Sequence, residues 1–203
     1  MYALIMAGGL GSRINLGEKP LISICGRPMI AYVIDVFHSC GFTPVVATSP
    51  KTPMTMNWCR AQGVAFCKAE GTGYIEDMIS VVETLDEQHP LFVSVSDIPC
   101  ITAENIHQIA DVYFASGKDA CSAWIPEELV QFYGGTPCYQ ERIDGIEACP
   151  AGINILRGDL ISQTQKEVRI LLNEPGLAIN VNTRADIAKT EELIKRVPFR
   201  KNF

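Results

Sequence analysis

The sequence lacks any apolar run of the roughly 18 residues that a membrane-spanning helix needs. Its mean hydropathy of +0.13 therefore indicates a well-filled core. It also lacks basic charge, since 17 Lys and Arg stand against 23 Asp and Glu and the net charge is −6. A chain without a basic excess has no face suited to a nucleic-acid backbone. We expect a cytoplasmic protein with no membrane span and no nucleic-acid partner.

Recognisable metal and disulfide motifs are also absent. The eight cysteines stand at irregular spacing without a C-x-x-C pair, and the three histidines form no helical ligand pair. We interpret the cysteines as reduced thiols, most of them in the core. They are Cys25, Cys40, Cys59, Cys67, Cys100, Cys121, Cys138 and Cys149.

Length and hydrophobic periodicity indicate one α/β domain over residues 1–203. Apolar strand-like runs alternate with amphipathic segments, which predicts a Rossmann-like three-layer sandwich with a mostly parallel sheet. Residues 126–149 form the least regular stretch. The predicted strands are Ala3–Ala7, Val45–Thr48, Val64–Cys67, Leu91–Asp97, Ala120–Ile125, Gly152–Leu156 and Ala178–Val181. The predicted helices run from Pro28 to Gly41, Met54 to Gln62, Tyr74 to Glu87, Thr102 to Gly117 and Thr183 to about Val197.

A glycine-rich loop, Gly8-Gly9-Leu10-Gly11-Ser12-Arg13, follows the first predicted strand. It is not the dinucleotide motif G-x-G-x-x-G, because Ile14 stands where that motif ends in glycine. Nor is it a P-loop, because Lys19 is followed by Pro20 where that motif needs Ser or Thr. Hydride transfer and P-loop kinase chemistry are both disfavoured.

The loop and the basic residues near it form a coherent triphosphate site. Glycine amides can point at phosphoryl oxygens, Arg13 can grip the β and γ oxygens, and Lys19 can meet charge that develops near the α-phosphorus. The alternative is an ordinary glycine turn with two solvated basic side chains. Taken together, the residues favour the phosphate site.

Met6-Ala7-Gly8-Gly9-Leu10-Gly11-Ser12-Arg13 followed by Lys19-Pro20-Leu21 resembles the GG-x-G-x-R…KPL pattern of MobA-like and sugar-phosphate nucleotidyltransferases. The resemblance implies the MobA-like nucleotidyltransferase fold, a nucleotidyl-transfer reaction and a Mg²⁺ cofactor. It implies catalytic roles for Arg13, Lys19 and Asp97, and metal binding by Asp97 and Asn182. The implied nucleotide-binding residues are Ala7, Gly8, Gly9, Gly11, Ser12, Arg13, Lys19, Thr48, Gly71, Thr72, Gly73, Gly152 and Asn154.

Two of these positions also have simple structural explanations. Asp97 ends a predicted strand and could hold Mg²⁺, or it could only start a turn before Ile98-Pro99. Asn182 precedes a predicted helix and could bind the metal, cap the helix, or do both.

Two further sets of predicted nucleotide-binding residues also have both a functional and a structural explanation. Gly71-Thr72-Gly73 resembles the loop that contacts base and ribose in these enzymes, but it is also a common turn sequence. Gly152 and Asn154 could approach a ligand or simply open a strand.

Further stretches resemble the family of archaeal GTP:adenosylcobinamide-phosphate guanylyltransferases of cobalamin biosynthesis. This resemblance implies that GTP and adenosylcobinamide phosphate react to give adenosylcobinamide-GDP and pyrophosphate. Alternatives are guanylyl transfer to a molybdopterin cofactor or another phosphorylated acceptor, and nucleotide binding without catalysis. The stretches are residues 3–9, 18–22, 25–27, 47–50, 73–77, 150–154 and 180–183.

The acceptor pocket and the assembly state stay open at this level. Residues 126–149, with Trp124 just before them, could line a pocket for the bulky acceptor or merely cover the sheet. The sequence does not decide between a monomer and a homodimer.

Overall fold

A computed structural model describes residues 1–9, 11, 16–136 and 139–196. The strands are β1 (Tyr2–Met6), β2 (Ser23–Ile24), β3 (Arg27–Pro28), β4 (Thr43–Thr48), β5 (Ala65–Lys68), β6 (Pro90–Val95), β7 (Ala120–Pro126), β8 (Glu141–Ile143), β9 (Ile146–Arg157) and β10 (Glu167–Leu171). The helices are α1 (Met29–Ser39), α2 (Pro53–Gln62), α3 (Tyr74–Thr84), α4 (Ala103–Ser116), α5 (Glu127–Phe132) and α6 (Arg184–Arg196).

The main sheet has the strand order β10-β7-β9-β6-β1-β4-β5, and β8 pairs with β9. β1 runs parallel to both β4 and β6, and the β4–β5 and β7–β10 pairs are parallel too. β9 is antiparallel to its neighbours β6, β7 and β8. The predicted, mostly parallel sheet is confirmed.

Side chains of β1 alternate between two hydrophobic layers. Ala3 and Ile5 pack in the cluster that contains residues of α1 and α4, whereas Leu4 packs against Met78 and Val82 of α3. Successive strand residues point to opposite faces, so a central strand covered on both sides must be apolar throughout. The three-layer α/β prediction is therefore confirmed.

The prediction of a strand over Ala178–Val181 is wrong. A 3-10 turn, Pro175–Leu177, precedes this segment, which pairs with no strand of the described chain. Its apolar side chains are buried, but the Val181 amide donates to the Asp97 carbonyl at 2.9 Å. Burial makes the segment look like a strand, while its backbone is bound to the loop after β6.

Other differences are short elements that were not predicted and element ends that are shifted. The edge strand β10 was not predicted, and the predicted Gly152–Leu156 strand is part of the longer antiparallel β9. The irregular stretch at 126–149 contains α5 and β8. α3 ends at Thr84, three residues before the predicted Glu87. Short, partly exposed elements carry weak periodicity, which explains these misses.

Among the cysteines in the described ranges, Cys59, Cys100, Cys121 and Cys149 are buried, Cys40 and Cys67 are partly buried, and Cys25 is exposed. The predicted core location is therefore confirmed for the four buried residues, whereas Cys138 lies outside the described residues. None of the helices that the structure describes has the length and apolar character needed to cross a bilayer.

Alkylation at pH 8 is expected to label exposed Cys25 quickly and to spare the core thiols. Burial raises the pKa of Cys59 and Cys121 to about 11 and that of Cys100 to about 12. These groups therefore hold almost no thiolate, which is the nucleophilic form, at pH 8. Peptide mass spectrometry after iodoacetamide treatment measures the labelling, with unfolded protein as the fully reactive control. Rapid labelling of Cys100 in folded protein would contradict the expectation.

Candidate active site

The glycine-rich loop leaves the central strand β1 at the edge of the sheet where the parallel strands end. The Ala7 amide donates to the Ala47 carbonyl at 2.9 Å, and the Ser49 hydroxyl donates to the Gly8 carbonyl at 2.8 Å. Gly11 has φ +60°, and a Cβ there would lie 2.5 Å from the Cβ of Lys19. Any larger residue at Gly11 would therefore collide with the lysine segment.

Most of the predicted nucleotide-binding residues in the described ranges converge on one cavity of about 320 Å³. It lies at the carboxyl ends of β1, β4 and β6, where α/β sheets bind their ligands. Ser12 and Arg13 lie outside the described residues. The cavity is lined by Met6, Gly8, Gly9, Lys19, Ala47, Thr48, Lys51, Ala69, Gly71, Thr72, Gly73, Tyr74, Asp77, Val95, Ser96 and Asp97.

Lys19 connects three distant parts of the chain. Its ammonium forms an ion pair with Asp97, just beyond β6, and donates a hydrogen bond to Asn182 Oδ1 at 2.7 Å. The Lys19 and Asp97 side chains are only 16% and 15% exposed. Asn180 Nδ2 donates to the other Asp97 oxygen at 3.1 Å. We call Lys19, Asp97, Asn180 and Asn182 the polar cluster.

Glu18 fixes the backbone immediately before Lys19. Its carboxylate accepts hydrogen bonds from the Met54 amide at 2.7 Å, the Thr55 amide at 2.6 Å and the Thr55 hydroxyl at 2.7 Å. These amides belong to the first turn of α2, where free N–H groups and the helix dipole favour an anion. Glu18 thus caps a helix 36 residues away in sequence.

The Gly71-Thr72-Gly73 loop is held by Asp77 at the start of α3. Asp77 Oδ1 accepts hydrogen bonds from the amides of Gly71 at 2.9 Å and Thr72 at 3.2 Å. Lys51 Nζ donates to the Gly71 carbonyl at 3.3 Å and lines the cavity beside it. Sequence reasoning assigned no role to Lys51 or Asp77, because neither belongs to the glycine pattern.

Three predicted residues have contacts within the fold. Buried Thr48 donates its hydroxyl to the Cys67 carbonyl at 3.2 Å while lining the cavity. Gly152 and Asn154 lie on β9 and do not line the cavity. Gly152 has φ +77°, and a Cβ there would lie 2.7 Å from Val95 Cγ2, so glycine permits close packing of β9 on β6.

A capping box begins helix α6. Thr183 and Asp186 bond to each other in two ways. The Asp186 amide donates to the Thr183 hydroxyl at 3.2 Å, and the Thr183 amide donates to the Asp186 carboxylate at 2.8 Å. The Asn182 side chain turns instead towards Lys19. Asn182 is thus not the cap that the sequence allowed, and its amide oxygen faces a cation.

The oxygens around Lys19 fit a hard divalent cation. Asp97 and Asn182 each direct a side-chain oxygen at one ammonium group, and Mg²⁺ prefers one or two carboxylates together with substrate phosphates and water. No group of three or more His, Cys, Asp or Glu side chains suited to a metal occurs among the residues described. A metal here would therefore need oxygens from a bound nucleotide to complete its coordination shell.

Comparison with known proteins shows a relative that matches over nearly the whole chain. Adenosylcobinamide-phosphate guanylyltransferase of Methanocaldococcus jannaschii is 31% identical, and the match covers 97% of this chain and 98% of the relative. The bifunctional protein GlmU of Thermosipho africanus is 25% identical over 83% of this chain, but this match spans only 40% of GlmU.

Solved structures of low sequence identity share the fold. CMP:2-keto-3-deoxy-manno-octonic acid synthetase complexed with CTP has a TM-score of 0.73 at 14% identity, covering 97% of this chain and 99% of that one. Molybdopterin-guanine dinucleotide biosynthesis protein A from Archaeoglobus fulgidus has a TM-score of 0.64 at 16% identity, covering 97% and 100%. Residues 3–169 match the MobA-like NTP transferase domain. The chain therefore belongs to the MobA-like NTP transferase family.

Proposed function

We propose that this protein transfers GMP from GTP to adenosylcobinamide phosphate, producing adenosylcobinamide-GDP and pyrophosphate in the cytoplasm. The observation that carries the proposal is that Gly8 and Gly9 line one cavity together with Lys19 and Asp97, which form an ion pair there. Family membership supports nucleotidyl transfer, and the 31% identical guanylyltransferase supports this donor and this acceptor.

The amino-terminal loop supplies the triphosphate site in this proposal. Backbone amides from Gly8 to Gly11 and the side chains of Arg13 and Lys19 provide positive potential in a protein of net charge −6. Thr48 and the Gly71-Thr72-Gly73 loop are the proposed contacts to ribose and guanine, with Asp77 holding that loop in shape. Gly152 and Asn154 remain predicted contacts outside the cavity.

Asp97 and Asn182 would hold Mg²⁺ together with phosphate oxygens. When bound, the ion neutralises negative charge on the reacting phosphoryl group and helps to orient it. Lys19 lines the same cavity, where its ammonium would donate to an oxygen of the α-phosphoryl group as charge develops there during transfer. Asn180 keeps the Asp97 carboxylate oriented through its hydrogen bond.

The acceptor itself supplies the nucleophile. A phosphate monoester has its second pKa near 6, so at neutral pH it is largely a dianion and needs no protein base. One acceptor oxygen bonds to the α-phosphorus, the bond from that phosphorus to the α,β-bridging oxygen breaks, and pyrophosphate carries away the electron pair. None of His38, His89 and His107 lines the cavity. Positioning and charge neutralisation therefore account for the chemistry.

Pyrophosphate release tests donor and acceptor together. Pure protein is incubated with Mg²⁺, with each of the four nucleoside triphosphates in turn, and with adenosylcobinamide phosphate or a molybdopterin cofactor. We expect release with GTP and the corrinoid phosphate, and little release when either is missing. Equal rates with all four donors, turnover only with molybdopterin, or nucleotide binding without turnover would contradict the proposal.

A further inference from the structure

A second cavity, of about 450 Å³, lies beside the polar cluster. One wall is the segment from α5 to Thr136, together with Tyr139, and the other is formed by residues 177–189 at the start of α6. Lys189 Nζ donates to the Tyr133 carbonyl at 2.6 Å and so ties the two walls together. The cavity is therefore a built feature of the fold.

The two cavities are separated by the polar cluster. Asp97 and Lys19 line the first cavity, and Asn180 and Asn182 line the second. Asn180 donates a hydrogen bond to Asp97, and Asn182 accepts one from Lys19. The polar cluster therefore forms the wall between the cavities, and its Lys19 ammonium can neutralise negative charge on a phosphoryl group bound there. In-line displacement needs donor and acceptor on opposite sides of the reacting phosphorus. A second substrate in this cavity would approach from the required side.

We propose that the second cavity binds the acceptor. Its phosphate arm lies at the polar cluster, and part of its bulky ring packs against the rings of Tyr133 and Tyr139. This inference rests on the proposed function and assigns one substrate to one cavity. The lining combines apolar Ile125, Val130 and Leu177 with the rings of Tyr133 and Tyr139. Such a surface suits a large, largely apolar macrocycle whose rim carries polar groups.

Exposed aromatic rings support this occupant. Phe132 is 80% exposed and Tyr139 is 53% exposed, and the Phe132 ring packs edge-on against Tyr133 at a centroid distance of 5.2 Å. Exposed aromatic groups beside a cavity indicate a surface that is covered when a ligand binds. Because a corrinoid ring is larger than this cavity, the remainder would extend over these rings.

Ala185→Trp blocks the cavity without touching the core. Ala185 is exposed in the first turn of α6 and lines the cavity, so a bulky side chain there would occupy acceptor space. We expect the KM for adenosylcobinamide phosphate to rise about tenfold or more, with the KM for GTP unchanged. Ala188→Trp is the matched control, because Ala188 is exposed on the same helix and does not line the cavity. It should retain wild-type constants.

Removing the exposed ring provides an independent measurement. Phe132→Ala should weaken retention of the coloured corrinoid phosphate in equilibrium dialysis by roughly threefold to tenfold, with a GTP analogue present. Wild-type acceptor constants in both Ala185→Trp and Phe132→Ala would overturn the inference while leaving the proposed function intact. A wild-type protein that binds GTP but releases no pyrophosphate with this acceptor would overturn both.

Discussion

Lys19→Ala is expected to lower kcat by about 10²- to 10³-fold while the protein remains folded, because the variant loses a preorganised donor at the reacting phosphoryl group. Lys19 is 16% exposed and already faces two oxygens of the polar cluster, so its ammonium is held in place before the nucleotide binds. The lost charge matters most where phosphoryl charge increases in the transition state. The reduction should therefore fall on kcat more than on the KM for GTP.

The fold should survive this substitution because Asp97 keeps other partners. Asn180 still donates to its carboxylate, and Val181 still donates to its carbonyl. Initial rates of pyrophosphate release measure kcat, and circular dichroism monitors folding. Lys118→Ala is a suitable control, since Lys118 is exposed before β7 at the opposite edge of the sheet. Unaltered turnover in Lys19→Ala would remove this lysine from the mechanism.

Asp97→Asn is expected to raise the Mg²⁺ concentration that gives half-maximal rate by at least about tenfold, because the number of charged ligands tunes the affinity of a divalent-cation site. The amide has nearly the shape of the carboxylate, so the packing after β6 should persist. Its charge is lost, and with it the ion pair to Lys19. The maximal rate should fall as well, since the remaining proposed side-chain ligand, Asn182, is neutral.

A Mg²⁺ titration of initial rates at saturating GTP measures this effect. Asp111→Asn makes the same chemical change on the exposed surface of α4 and should leave the titration unchanged. An Asp97→Asn protein with the wild-type Mg²⁺ dependence would exclude this carboxylate as a metal ligand. The fall in kcat of Lys19→Ala reports charge neutralisation by the lysine, and the changed Mg²⁺ dependence of Asp97→Asn reports charge neutralisation by the metal.

Much of the site was visible in the sequence because its residues follow buried strands. Gly8, Thr48 and Asp97 each stand at or just beyond the end of a strand, and parallel strands bring their carboxyl ends to one edge. Apolar runs locate such strands reliably. The position of these residues relative to the predicted strands therefore predicted that they would line one cavity.

Contacts between distant segments had no local pattern to reveal them. Glu18 caps a helix that starts at Pro53, and Asn180 holds an aspartate 83 residues away. The wrong prediction of a strand at Ala178–Val181 also results from a distant contact. The sequence indicates that this segment is buried, but it does not show that its backbone bonds to the Asp97 carbonyl. Periodicity reports which side chains are buried, and it does not report which backbone groups pair.

By itself, the amino-acid sequence determined the alternation of strands and helices, the glycine-rich loop, and the presence of Lys19, Asp97 and Asn182 at turns. These features depend on short-range periodicity and on the backbone freedom of glycine. Only the tertiary structure decided that Lys19 joins Asp97 and Asn182 in one polar cluster with a cavity on either side. Such proximity arises from strand order and loop packing, which act between residues far apart in the chain.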